Sequence, residues 1–171
     1  MNKTKQNFQQ YQRSSILIHA ALLTGQVFFA SFAVFINQTQ GAVVAGDEVL
    51  RTMFMIMIPL FFLVTFVVSK LVAGKKLKLA KEVAELKTKM ESYRAVNIIK
   101  YALLEGTVFF AIITYLLTGE LLLLGFAVMI MLLFATYYPT KEKLVRELEL
   151  NREEQAILED PAAIVAEVVQ R

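Results

Sequence analysis

A single carboxylate stands inside an otherwise apolar segment of the chain. Glu105 lies within KYALLEGTVFF at residues 100–110. An ionised side chain at the middle of a membrane helix costs about 3 kcal/mol on insertion scales, so such residues are candidates for function. Tyr101 precedes Glu105 by one helical turn, where its hydroxyl can hydrogen-bond the acid. Two hypotheses stay open: an acid that fixes helix contacts, or a group that carries an ion.

The segment around Glu105 repeats an earlier one. HAALLTGQVFFA at residues 19–30 aligns without a gap with KYALLEGTVFFA at residues 100–111, and Thr24 occupies the position of Glu105. The shared glycine and paired phenylalanines do not follow from leucine-rich composition. We therefore expect two membrane hairpins of common origin that run parallel, related by an axis along the membrane normal.

The two copies share a stripe of small or polar residues at helical spacing. Its members are His19, Gln26 and Ala30 in the first copy and Thr107, Ala111 and Thr114 in the second. Small and hydroxylated residues let membrane helices approach closely and hydrogen-bond across the contact. The stripe predicts that spans one and three face each other at the centre, with spans two and four outside.

Uncharged runs define the elements that hold these residues. Residues 14–36 carry no formal charge apart from His19, and about 20 residues suffice to cross the hydrocarbon. The predicted fold is an all-α integral membrane protein with four transmembrane helices. Its segments are a polar N-terminal segment (1–13), which is expected to be frayed, a first transmembrane hairpin (14–72), a cytoplasmic amphipathic arm (75–94), a second hairpin (95–139) and a cytoplasmic helical tail (140–171).

Apolar residues follow a helical period along the arm. Leu79, Val83, Leu86, Met90 and Tyr93 have 4,3,4,3 spacing, which predicts one apolar stripe on a charged helix. Glycine often ends a helix, so Gly74 is expected to end the second span. Nothing resembling a helix breaker separates the arm from the third span, so one long helix is expected across residues 76–117.

The tail carries the start signals of three short helices. Thr140 can cap the first, and Asn151 with Glu154 forms a capping box for the second. Asp160 followed by Pro161 is typical of the start of a third.

Charge is unevenly divided along the chain. The arm holds seven basic and three acidic residues and the tail five basic and eight acidic, so the two are expected to attract within one chain or between protomers. Basic residues cluster at the N-terminus, in the arm and at the start of the tail, while the outer loops contribute only Arg51. The positive-inside rule then places both termini and the arm in the cytoplasm.

The composition excludes several kinds of chemistry. The chain has no cysteine and one histidine, so thiolate sites are ruled out. A metal site built on that histidine would need carboxylate ligands that the spans do not supply. No nucleophile set, metal-ligand cluster or phosphate-binding glycine loop is present, so neither an enzyme, a metal nor a cofactor is expected. The net charge of +3 is too small and scattered to indicate nucleic acid.

Two passages resemble known families. ALLEGTVFFAIITYLL at residues 102–117 resembles the acid-bearing helix of rotary ATPase proteolipids, which implies an ion-binding role for Glu105 alone. The whole chain, and YYPTKEKLVRELELNREEQAIL at residues 137–158 above all, resembles a group of small four-span bacterial inner-membrane proteins with no assigned activity. That resemblance implies the architecture and no chemistry.

These observations favour a non-enzymatic membrane subunit or scaffold whose arm and tail dock partners. The expected partners are the lipid bilayer and either further copies of the chain or a larger membrane complex. The alternative is an ion or proton pathway that oligomers form around Glu105, with Tyr101 and Thr24 as further candidates. A third possibility places the basic arm on anionic lipid.

Overall fold

The computed structural model describes residues 2–44 and 46–170, and the side chains of residues 4–44 and 46–167. Met1 and Arg171, the outer limits of two predicted segments, lie outside these residues. The described part is almost wholly helical. Its elements in chain order are β1 (Asn2–Gln6), α1 (Phe8–Gln40), α2 (Glu48–Glu82), α3 (Leu86–Thr118), α4 (Leu121–Thr136), α5 (Lys141–Leu148), α6 (Arg152–Glu159) and β2 (Ala166–Gln170).

Three helices are long and apolar enough to cross a membrane. They are α1, α2 and α3, with 33, 35 and 33 residues. The fourth predicted span corresponds to α4, which has 16 residues and reaches the required length only together with α5, after a bend. The described residues therefore have three helices that are long and apolar enough to cross a membrane, or four if the bent pair is one span, which is consistent with a multi-pass membrane protein.

The chain divides into two compact units. Residues 20–69 and 101–137 form the membrane unit, and residues 1–19, 70–100 and 138–171 form the other, which we call the head. A helix of 33 residues is about 50 Å long, which exceeds the roughly 30 Å hydrocarbon thickness. The helices α1, α2 and α3 accordingly contribute residues to both units.

Helix α3 is the centre of the membrane unit. In its most apolar window 44% of the residues are buried, against 22% for α1 and 17% for α2. Asn37 of α1 donates a hydrogen bond from Nδ2 to the carbonyl oxygen of Tyr115 at 3.0 Å, and Thr65 of α2 bonds Thr107. On the α4 side, the ring of Tyr101 lies 5.3 Å from that of Phe134.

Spans one and three do face each other, as the Asn37–Tyr115 hydrogen bond and the contact of the Phe29 and Phe109 rings at 5.3 Å show. The central position predicted for span one is wrong, because only 22% of its most apolar window is buried.

Helix α1 exposes large apolar side chains along much of its length, including Phe28 and Phe35. Within residues 20–40 its buried positions are Gln26, Ala30 and Ala33, and the two alanines let α1 lie close against α3.

The head has its own hydrophobic core. Its buried apolar residues come from the N-terminal turn of α1, the arm and the tail: Phe8, Tyr11, Ala80, Met90, Tyr93, Leu144, Leu148, Leu150, Leu158, Val165 and Ala166. Burying a side chain of this size stabilises a fold by about 2 kcal/mol. The predicted apolar faces of the tail are therefore used inside the head.

The arm is folded in two rather than continuous. Helix α2 passes through Gly74 and ends at Glu82, and α3 begins at Leu86. The predictions of a helix end at Gly74 and of one helix across residues 76–117 are both wrong. Only the second half of the arm extends the third span, because packing of Ala80 and Met90 into one core requires a reversal between them.

Two further predictions about the ends are wrong. The polar N-terminal segment is ordered, since β1 pairs antiparallel with β2 from Asn2 opposite Gln170 to Gln6 opposite Ala166. The expected third tail helix is absent from the described residues. Asp160 caps a turn by accepting a hydrogen bond from the Ala162 amide at 2.8 Å, and the chain then enters β2.

Local capping predictions in the tail are confirmed. The Thr140 side chain accepts a hydrogen bond from the Lys143 amide and starts α5. Asn151 and Glu154 form the complete capping box of α6. The turn from α3 to α4 occupies residues 119–120 as expected, with Gly119 at a φ of +73°.

Candidate functional site

Ion pairs join the arm to the tail inside the head. Their members are Lys81 and Glu149 at 2.6 Å, Lys87 and Glu167 at 2.7 Å, and Lys89 and Glu154 at 2.6 Å. Lys100, just past the arm, pairs with Glu147 at 3.3 Å. The predicted attraction between arm and tail is confirmed, and it operates within one chain.

Burial separates the Lys89–Glu154 pair from the other two arm pairs. Both side chains are 11% exposed, whereas Lys81 and Glu149 are 32% and 70% exposed. One carboxylate oxygen of Glu154 accepts from Lys89 and the other from the Asn151 amide at 2.9 Å. Burial raises the pKa of Glu154, but these two hydrogen bonds lower it by more. The pKa of this carboxyl group therefore lies below the ordinary value for a glutamate. Glu154 thus keeps its negative charge at neutral pH in the folded head.

The predicted apolar stripe of the arm is confirmed for some of its residues and not for others. Met90 and Tyr93 are buried, and Leu86 packs against the head core. Leu79, in contrast, is 63% exposed, and Val83 lies in the reversal between α2 and α3. Because α2 continues through residue 74, its inward positions fall on small residues that the stripe did not include.

One face of the arm keeps its charges unpaired within the described residues. Lys75, Lys76 and Lys78 are exposed and make no ion pair there, and Leu79 stands beside them. A shallow groove of about 220 Å³ adjoins this face. Its lining consists of Lys76, Leu79, Ala80, Val83, Ser92 and Ala95. We call these exposed lysines, Leu79 and the groove the arm face.

The predicted stripe residues of the membrane unit are buried. Gln26, Ala30, Thr107, Ala111 and Thr114 are each at most 8% exposed, and His19, which belongs to the head, is 2% exposed. The hydroxyls satisfy themselves locally: Thr107 bonds the Leu103 carbonyl at 3.0 Å and Thr114 bonds the Ala111 carbonyl at 2.9 Å.

The buried amide of Gln26 differs from these hydroxyls. Its side chain is fully buried, and neither its amide nitrogen nor its amide oxygen has a hydrogen-bond partner in the described part of the chain. An unsatisfied buried polar group costs about 1–3 kcal/mol.

The structure does not bring the ion-binding candidates together. The Tyr101 hydroxyl donates to the Tyr137 carbonyl at 3.1 Å, and Thr24 is exposed on α1. Glu105 is half-buried, and no ion pair or hydrogen bond involves its carboxylate within residues 2–44 and 46–170. Ala102 and Gly106, on the same side of α3, are exposed. Glu105 thus borders a smooth, open part of α3.

Sequence reasoning missed two contacts of the head. The Arg94 guanidinium lies 4.3 Å over the ring of Tyr11, whose hydroxyl donates to the Met90 carbonyl at 2.9 Å. Tyr11 lies in the segment predicted to be frayed, and Arg94 lies at the end of the arm, for which only an apolar stripe was predicted. No local sequence pattern therefore indicated that the two residues meet. The inward run of Ala73, Leu77 and Ala80 has helical spacing and was the available signal that α2 continues.

Comparison with known proteins finds no matching family model, no similar curated protein and no similar solved structure. Among the described side chains, no group of three or more His, Cys, Asp or Glu residues is placed to hold a metal ion. Function must therefore be argued from the head and the membrane unit themselves.

Proposed function

We propose that the chain is a non-enzymatic subunit of the bacterial inner membrane with four spans, built as two parallel hairpins. Both termini and the head lie in the cytoplasm, and the head docks a partner protein through the arm face. The observation that carries this proposal is the division of arm lysines into a set paired with the tail and an unpaired, exposed set beside Leu79.

The paired set engages much of the tail within its own chain. Leu144 and Leu148 are buried, and the tail carboxylates Glu149 and Glu154 are engaged by arm lysines. The tail leucines are therefore packed, although Ile157 and Ile164 stay exposed. The arm face combines unpaired lysines, exposed Leu79 and a groove.

The chemistry of the arm face defines its partner. Lys75, Lys76 and Lys78 attract carboxylates, but exposed ion pairs contribute only about 0.2–1 kcal/mol each. Burying Leu79 adds about 2 kcal/mol, and a groove accepts a protruding apolar side chain. The fitting partner is an acidic protein segment that presents one large apolar residue.

The test compares two full-length variants with the same change in charge. Lys75→Gln, Lys76→Gln and Lys78→Gln together remove the charges of the arm face. Lys5→Gln, Arg13→Gln and Arg152→Gln remove three charges from other exposed sites of the head. Both proteins are purified from their own membranes in a mild detergent, and co-purifying chains are quantified.

We expect the arm-face variant to lose an acidic partner by at least about tenfold, since three charge contacts are removed together, while the control retains it. Leu79→Asp alone should produce a similar loss. Equal recovery from the arm-face variant and the control would refute docking at this face.

A second candidate function is an ion or proton pathway formed by several copies around Glu105. One observation favours it: Glu105 is half-buried beside the exposed residues Ala102 and Gly106 of α3. A glutamate side chain at such a position is stable in lipid when it is protonated, and therefore neutral, or when another subunit covers it.

Carbodiimide labelling tests this second candidate. Glu105 should react, and a competing cation should protect it; Glu105→Gln should abolish flux in reconstituted vesicles. Glu120→Gln is the matched control, because Glu120 pairs with Arg51 at 2.6 Å outside the apolar run. Unchanged flux in Glu105→Gln would remove the candidate.

A further inference from the structure

We infer that the partner docked by the arm face is a second copy of this chain, which presents the outer side of its helix α6. The inference rests on the proposed function, because it names the occupant of the same surface. We call the outer side of α6 the α6 face, and its residues are Glu153, Ala156, Ile157 and Asp160.

The α6 face is the exposed side of a helix whose other side is packed. Glu154 and Leu158 are buried in the head and fix the orientation of α6. The residues of the α6 face are all exposed, and Ile157 is 42% exposed. Their spacing of three and four residues places them along one side of the helix, and Asp160 is its C-cap residue. An exposed isoleucine thus stands between two carboxylates.

These two carboxylates differ from most of those in the tail. Five tail glutamates form ion pairs with lysines of the same chain: Glu147, Glu149, Glu154, Glu159 and Glu167. Glu153 and Asp160 form no ion pair within the part of the chain that the structure describes, although the Asp160 carboxylate accepts a hydrogen bond from the Ala162 amide. The α6 face therefore keeps negative charge for a contact outside its own chain.

The α6 face matches the arm face in charge and in shape. The arm face offers three exposed lysines within one helical turn of Leu79, and a shallow groove beside them. It requires an acidic segment with one large apolar side chain, and the α6 face is such a segment, with Ile157 as the side chain that enters the groove. Apolar contact between Leu79 and Ile157 supplies the attraction that screened surface charges lack.

Both faces belong to the head. In copies inserted alike they lie on the same side of one membrane, where they can meet. Two different faces that bind each other join copies into a reciprocal pair or a closed ring. In either case each copy has a use for both faces.

The absence of cysteine allows disulfide mapping of this contact in native membranes. One full-length copy carries Leu79→Cys and the other Ile157→Cys, with tags of different size, and the two are expressed together. Isolated membranes are oxidised, and the joined species are separated by mass without reductant. In the control, Gln9→Cys replaces Ile157→Cys, because Gln9 is exposed in the head and lies outside both faces.

We expect the species that joins positions 79 and 157 to exceed those joining 79 to 79, 157 to 157 and 79 to 9 by at least about tenfold. A disulfide forms when two Cα atoms lie within about 7 Å, so an ordered contact favours one pair of positions. Random collision favours none. Equal yields of the four species would overturn the inference.

Charge reversal tests the attraction between the faces. Lys75→Glu with Lys78→Glu in the Leu79→Cys copy should lower the yield about tenfold, at about threefold for each exposed charge contact. Lys5→Glu with Arg13→Glu, at other exposed sites of the head, should leave it within about twofold. Adding Glu153→Lys to the Ile157→Cys copy should recover about threefold of the loss. Equal yields in the Lys75 variant and its control would overturn the inference, because charge complementarity carries it.

The result also separates this inference from the docking proposal. If no species is favoured and Lys75→Gln, Lys76→Gln and Lys78→Gln together still lose an acidic partner of another sequence, docking stands and the second copy is refuted as its occupant. If no species is favoured and the same variant loses no partner, both are refuted.

Discussion

The buried pair of Lys89 and Glu154 should contribute far more to the head than the exposed pair of Lys81 and Glu149. Their N–O distances are the same, 2.6 Å, and only burial separates them. Removing one partner of a buried pair costs about 3 kcal/mol, because it leaves an uncompensated charge. Removing one partner of an exposed pair costs about 0.5 kcal/mol or less.

The absence of cysteine provides a clean assay. Val165→Cys places the single thiol at a fully buried position of the head core, and its labelling by a maleimide reports opening of the head. In the fast-closing regime the labelling rate follows the population of the open form. Lys89→Met in this background should raise the rate about 100-fold, whereas Lys81→Met should raise it about twofold.

The second partner provides a further check. Glu154→Gln keeps an oxygen for the Asn151 amide and so preserves the capping box, while it loses the charge that Lys89 compensates. The double variant Lys89→Met with Glu154→Gln should cost less than the two single changes together, since no unpaired charge remains. Equal labelling rates for Lys89→Met and Lys81→Met would refute the reasoning that burial decides the energy.

Three other outcomes follow from the same contacts. Because the pKa of Glu154 in the fold lies below the ordinary value for a glutamate, about 4.3, the ionised carboxylate stabilises the head above that pH, and the melting temperature followed by circular dichroism should fall as the pH drops below about 4.3. Met90→Ala should destabilise the head by about 3 kcal/mol in the thiol assay, and Leu79→Ala, at an exposed position, should stay within about 0.5 kcal/mol. Gly119→Ala should cost about 1–2 kcal/mol in thermal unfolding, because residue 119 has a φ of +73° and a new Cβ would lie 3.1 Å from that of Ala42.

Local sequence signals predicted the features that depend on few neighbours. The apolar runs gave three spans, and the Thr140 and Asn151 caps gave the starts of α5 and α6. Gly119 gave the turn before α4. In each of these cases the physical cause, desolvation or a hydrogen bond across three residues, lies within the segment itself.

The reversal of the arm had no such signal. Residues 83–85 contain neither glycine nor proline, and the leucine spacing across them continued a helical period. The reversal is imposed by the core, where Ala80 and Met90 are buried together. Pairing of β1 with β2 likewise joins the two ends of the chain, a contact that no local window contains.

The candidate carboxylate shows the same limit. The sequence alone shows that Glu105 is isolated in an apolar run. It does not show that the Tyr101 hydroxyl donates to the Tyr137 carbonyl instead of to Glu105, because that hydrogen bond depends on how α3 packs against α4. The common origin of the two hairpins stays a prediction, as does the role of Glu105.

The central claim is a membrane protein whose head lies in the cytoplasm. Cysteines introduced singly at Val49, which is 81% exposed at the start of α2, and at Lys78 of the arm face allow this to be measured in whole cells with an impermeant maleimide. The account predicts that the cysteine at position 49 reacts in intact cells and that the one at position 78 reacts only after lysis. Labelling at position 78 in intact cells would contradict it.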